Sequence, residues 1–263
     1  MSPVITKIDP EYLRRAAQAP DIAALKSLGL MRLRLTPGDN VLDIGCGPAI
    51  DTLAMGKAVG ASGFVLGIDG DPRMVKEAND ASVKAGMGAF VYHQAGDATR
   101  LAQTSESFDA LYCERVLQHI PWAKNQAAVN EMLRVLTPGG RLVLVDTDWA
   151  TLSVSSIDPI VERKVVYEHA LGFANPYSGR TILSLVRNAN APVKELTAEP
   201  VVIRLPYESV RFLLKSAVER AIFKGSITWA ESQRFTAGLT SARDYRVFCA
   251  HLTLLMVTAV KED

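Results

Sequence analysis

Along the first half of the chain, short and nearly continuous apolar runs alternate with longer stretches whose apolar positions recur at helical spacing. After a helical segment at about residues 10–30, the pattern predicts strands at 40–44, 64–69, 89–95, 108–113 and 141–147, with helices at 49–59, 72–85 and 121–136. Runs such as FVLGID and RLVLVD are apolar on both sides, as expected of parallel strands covered by helices on both faces. Punctuation supports the boundaries: Asp71-Pro72 reads as an N-cap followed by proline at the first helical position, and Thr137-Pro138-Gly139-Gly140 stops a helix before the next strand. The order is that of a doubly wound α/β fold with a mostly parallel sheet.

Beyond Asp146 the alternation breaks up. Residues 150–176 read as a loop and a helix, 178–190 as a helix, 196–204 as a strand, 206–240 as mostly amphipathic helix and 244–259 as a final strand. The 206–240 stretch interrupts two closing strands. With 150–176 it is therefore expected to form a cap over the carboxyl edge of the sheet.

Composition narrows the partners. Twenty-nine Lys and Arg against 28 Asp and Glu leave a net charge of +1, which supplies no field for a phosphate-rich polymer, so no nucleic-acid partner is expected. Cys46, Cys113 and Cys249 are scattered and lack CxxC spacing, which suits free thiols in a reducing compartment and predicts a cytoplasmic protein. MSPVITKIDPEYLRR shows no basic stretch followed by an apolar one, so no leader is expected. The apolar run CAHLTLLMVTAV is shorter than the roughly 20 residues of a membrane span.

Candidate chemistry sits at the strand ends, where open α/β sheets bind their ligands. The first end reads Asp43-Ile44-Gly45-Cys46-Gly47, and its glycines let the backbone turn sharply and a ligand approach closely. A dinucleotide fingerprint would require a third glycine where Ile50 stands, which argues against a bound pyrophosphate. Asp69 ends the next strand, 24 residues after Gly45, where a carboxylate can accept from both hydroxyls of a ribose. Asp97 follows the third strand. Three acids at three successive ends suit a ligand with an ammonium group, a ribose and an adenine, without phosphate.

VLDIGCGPAID, GIDGDPRMVKEA, GDATRL, FDALYCERVLQHI and LTPGGRLVLVD, in this order, resemble the class I S-adenosylmethionine-dependent methyltransferases, in particular the UbiE-like small-molecule branch. The resemblance covers about residues 35–147 and implies a seven-stranded, Rossmann-like sheet with S-adenosylmethionine as cofactor. It implies that Asp43, Gly45 and Gly47 face the methionine part and that Asp69 holds the ribose. Gly70 and Met74 would lie beside the adenine, Asp97 and Ala98 would recognise its edge, and Glu114 with Arg115 would close the methionine end. The layout expected is a single domain, 1–263: a helical segment 1–30, a cofactor-binding core 31–149, cap insertions 150–176 and 206–240, and the rest of the core at 177–205 and 241–263.

Methyl transfer needs alignment of nucleophile and methyl and, for some acceptors, removal of a proton. His119, beside Gln118 just past the fourth strand, is the candidate base; a locally hydrogen-bonded helix-start residue is the other reading. Asp146, Asp148 and Trp149 follow the fifth strand, where substrate is expected, with loop capping and cap packing as their alternatives. Tyr177 and Arg180 can line the pocket from the cap. Asp146 and Asp148 alone do not supply the octahedral oxygen set that magnesium demands, and no metal is expected. Asn175-Pro176-Tyr177 resembles the signature of amino methyltransferases but stands after the fifth strand, not the fourth. His93, His169 and His251 lie in strand or apolar-periodic segments and read as structural. The expected activity is methylation of an oxygen, nitrogen or carbon atom of a small, partly apolar metabolite by a monomer or homodimer. A macromolecular methyltransferase, a non-catalytic cofactor-binding subunit and, more distantly, a nicotinamide enzyme remain as alternatives.

Overall fold

The computed structural model describes residues 9–156 and 158–262; residues 1–8, on which the leader expectation and the start of the 1–30 segment rest, lie outside them. Two helices open the chain, α1 (Pro10–Ala17) and α2 (Pro20–Leu33). There follow β1 (Asn40–Ile44), α3 (Ile50–Val59), β2 (Phe64–Asp69), α4 (Pro72–Lys84), β3 (Val91–Ala95) and β4 (Phe108–Glu114). A single 3-10 turn at Leu117–His119 precedes α5 (Trp122–Val135), β5 (Leu136–Val154), α6 (Pro159–Ala170) and α7 (Ser178–Arg187). The chain closes with β6 (Val193–Arg204), α8 (Tyr207–Phe223), α9 (Trp229–Asp244) and β7 (Ala250–Lys261).

The strands form one seven-stranded sheet of order β3-β2-β1-β4-β5-β7-β6. β1 to β5 are parallel, while β7 runs antiparallel between β5 and β6. This is the doubly wound, Rossmann-like arrangement expected from the sequence. Strand order reverses between β1 and β4, so their carboxyl ends frame the crevice where a ligand binds. Alternate strand residues feed two cores: Val41, Tyr112, Val143 and Val145 face α2, α3, α6, α8 and α9, whereas Leu42, Leu111, Leu142 and Leu144 face α5 and α7.

Several boundaries differ from expectation. The strand expected at 141–147 runs from Leu136 to Val154, because Pro138 ends the helix while the Gly139-Gly140 pair, with Gly139 at φ +73°, still allows extended pairing from Leu136 to Phe108. Its far end pairs Ser153 with His251 and Val154 with Ala250 beyond a register shift. The 206–240 helix is two helices, broken at Gly225 (φ +70°) and restarted by a capping box in which Thr228 and Glu231 cap each other. The last strand begins at Ala250, not 244, because α9 continues through Asp244. Since β6 ends and β7 begins at the carboxyl edge of the sheet, the α8–α9 insertion stands over that edge, packed on α6. No helix among the described residues is long and apolar enough to cross a membrane.

Candidate active site

The crevice begins where β1 turns into α3. Gly45 and Gly47 adopt φ +77° and +50°, and the Gly45 and Cys46 amides donate to the Ile68 carbonyl at 2.7 and 3.1 Å. A Cβ on Gly45 would stand 2.2 Å from Val116 Cγ2, so only glycine fits between the loop and the segment after β4. Ala49 also has a left-handed backbone (φ +69°), a strained position for a residue with a side chain that the sequence pattern does not reveal.

Asp69 is tied to this loop. Its Oδ2 accepts from the Gly47 amide at 2.9 Å and its Oδ1 from the Asp71 amide at 2.8 Å. Burial pushes its carboxyl above the usual range against these two bonds. Each oxygen retains an acceptor lone pair for a ligand hydroxyl. Gly70 and Gly96, at the ends of β2 and β3, adjoin each other: a Cβ on Gly70 would meet only the Gly96 carbonyl, 4.0 Å away. Met74 and Ala98 are buried. Asp97 Oδ1 accepts from the Thr99 amide and hydroxyl, both at 2.8 Å, which holds its carboxyl below the usual range.

The other side of the loop carries a charged cluster that sequence reasoning saw only in part. Asp43 is buried at the end of β1, and its Oδ2 has no hydrogen-bond partner. Burial, reinforced by Asp51, raises its carboxyl well above the usual range. Lys26, from α2, places Nζ 2.6 Å from Asp51 Oδ2 and 3.0 Å from Glu114 Oε2. The Tyr112 hydroxyl donates to Glu114 Oε2 at 2.8 Å and Arg115 Nε to Glu114 Oε1 at 3.0 Å. Burial alone would raise the Glu114 carboxyl, but Lys26 and Arg115 outweigh it and hold it at about 2. Lys26 shares a helix face with Gly29 and Leu33, both buried, and a lone lysine on a buried face was the signal that could have revealed it.

A cofactor bearing an amino acid fits these groups. The unpartnered Asp43 oxygen suits an ammonium, Lys26 and Arg115 suit a carboxylate, and Gly45 leaves exposed backbone for close approach.

Beyond β4 and β5 the remaining candidates form a second network. Gln118 Nε2 donates to the Arg115 carbonyl at 3.1 Å and faces His119 Nε2 at 3.2 Å, and Trp149 Nε1–H donates to Gln118 Oε1 at 2.8 Å. Trp149 stacks on Phe173 with centroids 4.6 Å apart, and His169 meets Trp149 edge-on at 4.7 Å. His169, read from the sequence as structural, packs against Trp149 and Phe173. His93 does not, since its ring is satisfied by Thr52 and Asn79 in the core.

Asp146 and Asp148, expected from the sequence as catalytic groups or loop caps, both accept hydrogen bonds from neighbouring elements. Asp146 Oδ1 accepts from the Thr147 amide at 2.7 Å and the Ser178 hydroxyl at 2.8 Å, and Oδ2 from the Gln118 amide at 3.3 Å. Burial nonetheless lifts its carboxyl to about 6. Asp148 is held by Arg180 through both oxygens, at 2.7 and 2.8 Å. Their oxygens thus join β5, the turn after β4 and α7. Tyr177 lies under the Arg180 guanidinium, 5.0 Å from it, and lines a cavity of about 170 Å³ with Ala150, Arg163, Val166, Tyr167 and Ala170. The Asn175 amide donates to the Gln118 carbonyl at 3.0 Å, so the Asn-Pro-Tyr segment braces the turn after β4.

Residues 41–140 match a family model described as a methyltransferase domain. The chain is 33% identical over 251 residues to an uncharacterized 37.1 kDa protein of transposon TN4556 from Streptomyces fradiae, covering 94% of this chain and 70% of that one. It is 33% identical over 125 residues to a demethylmenaquinone methyltransferase of Alkalihalophilus pseudofirmus, covering 48% of this chain and 52% of the relative, about half of its length. Among solved structures it resembles phosphoethanolamine N-methyltransferase 2 of Haemonchus contortus in complex with S-adenosylmethionine, with a TM-score of 0.60 at 17% identity over 93% of this chain and 54% of the other. With its glycine loop and strand-end acids, the chain thus carries a methyltransferase domain over residues 41–140 on the class I, Rossmann-like fold, and is similar to S-adenosylmethionine-dependent methyltransferases.

Proposed function

We propose that this protein transfers the methyl group of S-adenosylmethionine to a small, partly apolar metabolite. The observation that carries the reading is the Asp69 carboxylate fastened to the Gly47 amide, an acid beside the glycine loop with lone pairs left for ligand hydroxyls. In this reading Asp69 accepts from the ribose hydroxyls, with Gly70 and Met74 beside the base and Asp97 and Ala98 at its edge. Asp43 and Glu114 hold the ammonium of the amino acid part, and Lys26 and Arg115 its carboxylate. When bound, the cofactor supplies a methyl carbon already activated by sulfonium charge.

The protein's own contribution is alignment and exclusion of water. Gln118, His119 and Trp149 stand between the cluster and the cap, and Tyr177 lines the neighbouring cavity. Asp146 and Asp148 act as positioning residues, fixing the turn after β4 and the start of α7 through Ser178 and Arg180. An apolar pocket with few polar groups is the usual form of a small-molecule site. The test is incubation with S-adenosylmethionine labelled in its methyl group and a panel of apolar hydroxylated, amino and enolic acceptors, alongside bulk RNA and protein. Label moving into one small acceptor class is the expected result. Label only in RNA or protein, or none from a protein that binds the cofactor, would overturn the small-molecule reading.

A further inference from the structure

Two arginines beside β5 are each pinned along one edge by a buried acid. Arg163 donates through Nε and Nη2 to the two Glu162 oxygens, and through Nη2 to the Leu152 carbonyl. Arg180 Nε and Nη2 donate to Asp148 Oδ2 and Oδ1 at 2.7 and 2.8 Å. The Glu162 and Asp148 side chains are only 5% and 12% exposed, whereas both arginines reach solvent. A carboxylate on the Nε–Nη2 edge leaves the two N–H groups of Nη1 for another acceptor. Neither Nη1 has a hydrogen-bond partner among the described residues.

Arg163 lines the cavity of about 170 Å³, and Arg180 covers the ring of Tyr177, which lines it as well. Val166 and Ala170, both buried, and Ala150 give that cavity apolar walls. The hydroxyls of Tyr167 and Tyr177 make no hydrogen bond among the described residues. Every free polar side-chain group of the lining can therefore donate, and the neighbouring acids are already engaged on guanidinium edges. An apolar cavity of roughly 150 Å³ holds one benzene ring, so this volume suits a single ring. The cavity adjoins the turn after β4 through both ends of its lining. Ala150 follows Trp149, whose indole donates to Gln118, and Tyr177 follows the segment whose Asn175 amide donates to the Gln118 carbonyl.

We propose that this cavity anchors the carboxylate of the methyl acceptor, which makes the substrate class a carboxylic acid borne on a small apolar ring, its charge met by Arg163 Nη1 and the Tyr177 hydroxyl. That the bound acid is the methyl acceptor rests on the methyltransferase reading above; that the cavity takes a carboxylate does not. Glu162 and Asp148 act here as positioning residues. By fixing one edge of each guanidinium they leave less side-chain freedom to be lost when the ligand binds. Arg180 in turn holds the Tyr177 ring against the cavity.

The test is calorimetric titration of the purified protein, without cofactor, using benzoate and benzamide, which are alike in shape and differ in charge. Wild-type protein should bind benzoate at least about tenfold tighter than the amide, the scale of a hydrogen bond to a charged group. Arg163→Gln should remove most of this preference, Arg163→Lys should keep part of it, and Tyr177→Phe should weaken benzoate several-fold. Equal binding of the two probes, binding of neither, or a preference that survives Arg163→Gln would overturn the assignment. Arg163→Gln strands the buried Glu162. Should it fold poorly, methyl spectra of the wild type serve instead: benzoate, and not benzamide at the same concentration, should shift the Ala150, Val166 and Ala170 signals, and shifts confined to other residues would contradict the proposal. With methyl-labelled S-adenosylmethionine, hydroxylated ring carboxylates should take label faster than their amides, and the reverse order would overturn the acceptor role. A protein that binds benzoate but not S-adenosylmethionine would refute the methyltransferase reading and leave the carboxylate site standing.

Discussion

Gly45→Ala should destabilise the free protein by about 2–5 kcal/mol and remove measurable cofactor binding. Two costs add. A side chain at φ +77° costs roughly 1–2 kcal/mol, and a Cβ placed 2.2 Å from Val116 Cγ2 forces a displacement worth about 1–3 kcal/mol. The loop cannot yield cheaply, because its amides are bound to the Ile68 carbonyl beneath it. Urea unfolding checks the first part. Adding Val116→Ala should recover some of the steric loss but none of the backbone cost, so the pair should be non-additive. A single variant of wild-type stability would show that the loop is not confined as described.

Lys26→Met carries the second large effect, about 3–5 kcal/mol of stability, because it strands Asp51 as a buried acid and leaves Glu114 with only Tyr112 and Arg115. Glu114 is held at about 2, below its ordinary value of 4.5, so its contribution is complete above pH 4.5 and is lost as pH falls toward 2. Without Lys26 that window should move up, and acid unfolding should begin at higher pH. Cofactor binding separates a ligand role from a structural one. If Lys26 meets the carboxylate of the amino acid part, the variant should lose S-adenosylhomocysteine affinity at least about tenfold while 5′-methylthioadenosine, which lacks that part, binds nearly as before. Equal losses for both ligands would make Lys26 a brace between α2 and the sheet and nothing more.

What could be read from the chain follows the range of the interactions involved. β1, β2 and β4, the glycine turn and Asp69 are written in local patterns: apolar runs, turn residues and an acid at a strand end. The length of β5 was not, because its last residues are strand only by pairing with β7, which lies nearly a hundred positions away. Lys26 meets Asp51 and Glu114 only because the fold brings α2 to the first turn of α3 and the end of β4. The aromatic surroundings of His169 are hidden for the same reason. Its helical spacing shows a buried face, and only the fold brings that face to Trp149 and Phe173. Asp146 and Asp148 stand where expected, but Ser178 and Arg180, 32 residues further on in each case, claim their oxygens.

Calorimetric titration of the purified protein with S-adenosylmethionine and S-adenosylhomocysteine, repeated on Asp69→Ala, tests the central claim most directly. Both ligands should bind the wild type, and the variant should bind each about 1–3 kcal/mol more weakly, the scale of hydrogen bonds to a charged group. Absence of binding to the wild type, or equal affinity in Asp69→Ala, would contradict the placement of the cofactor over the glycine loop.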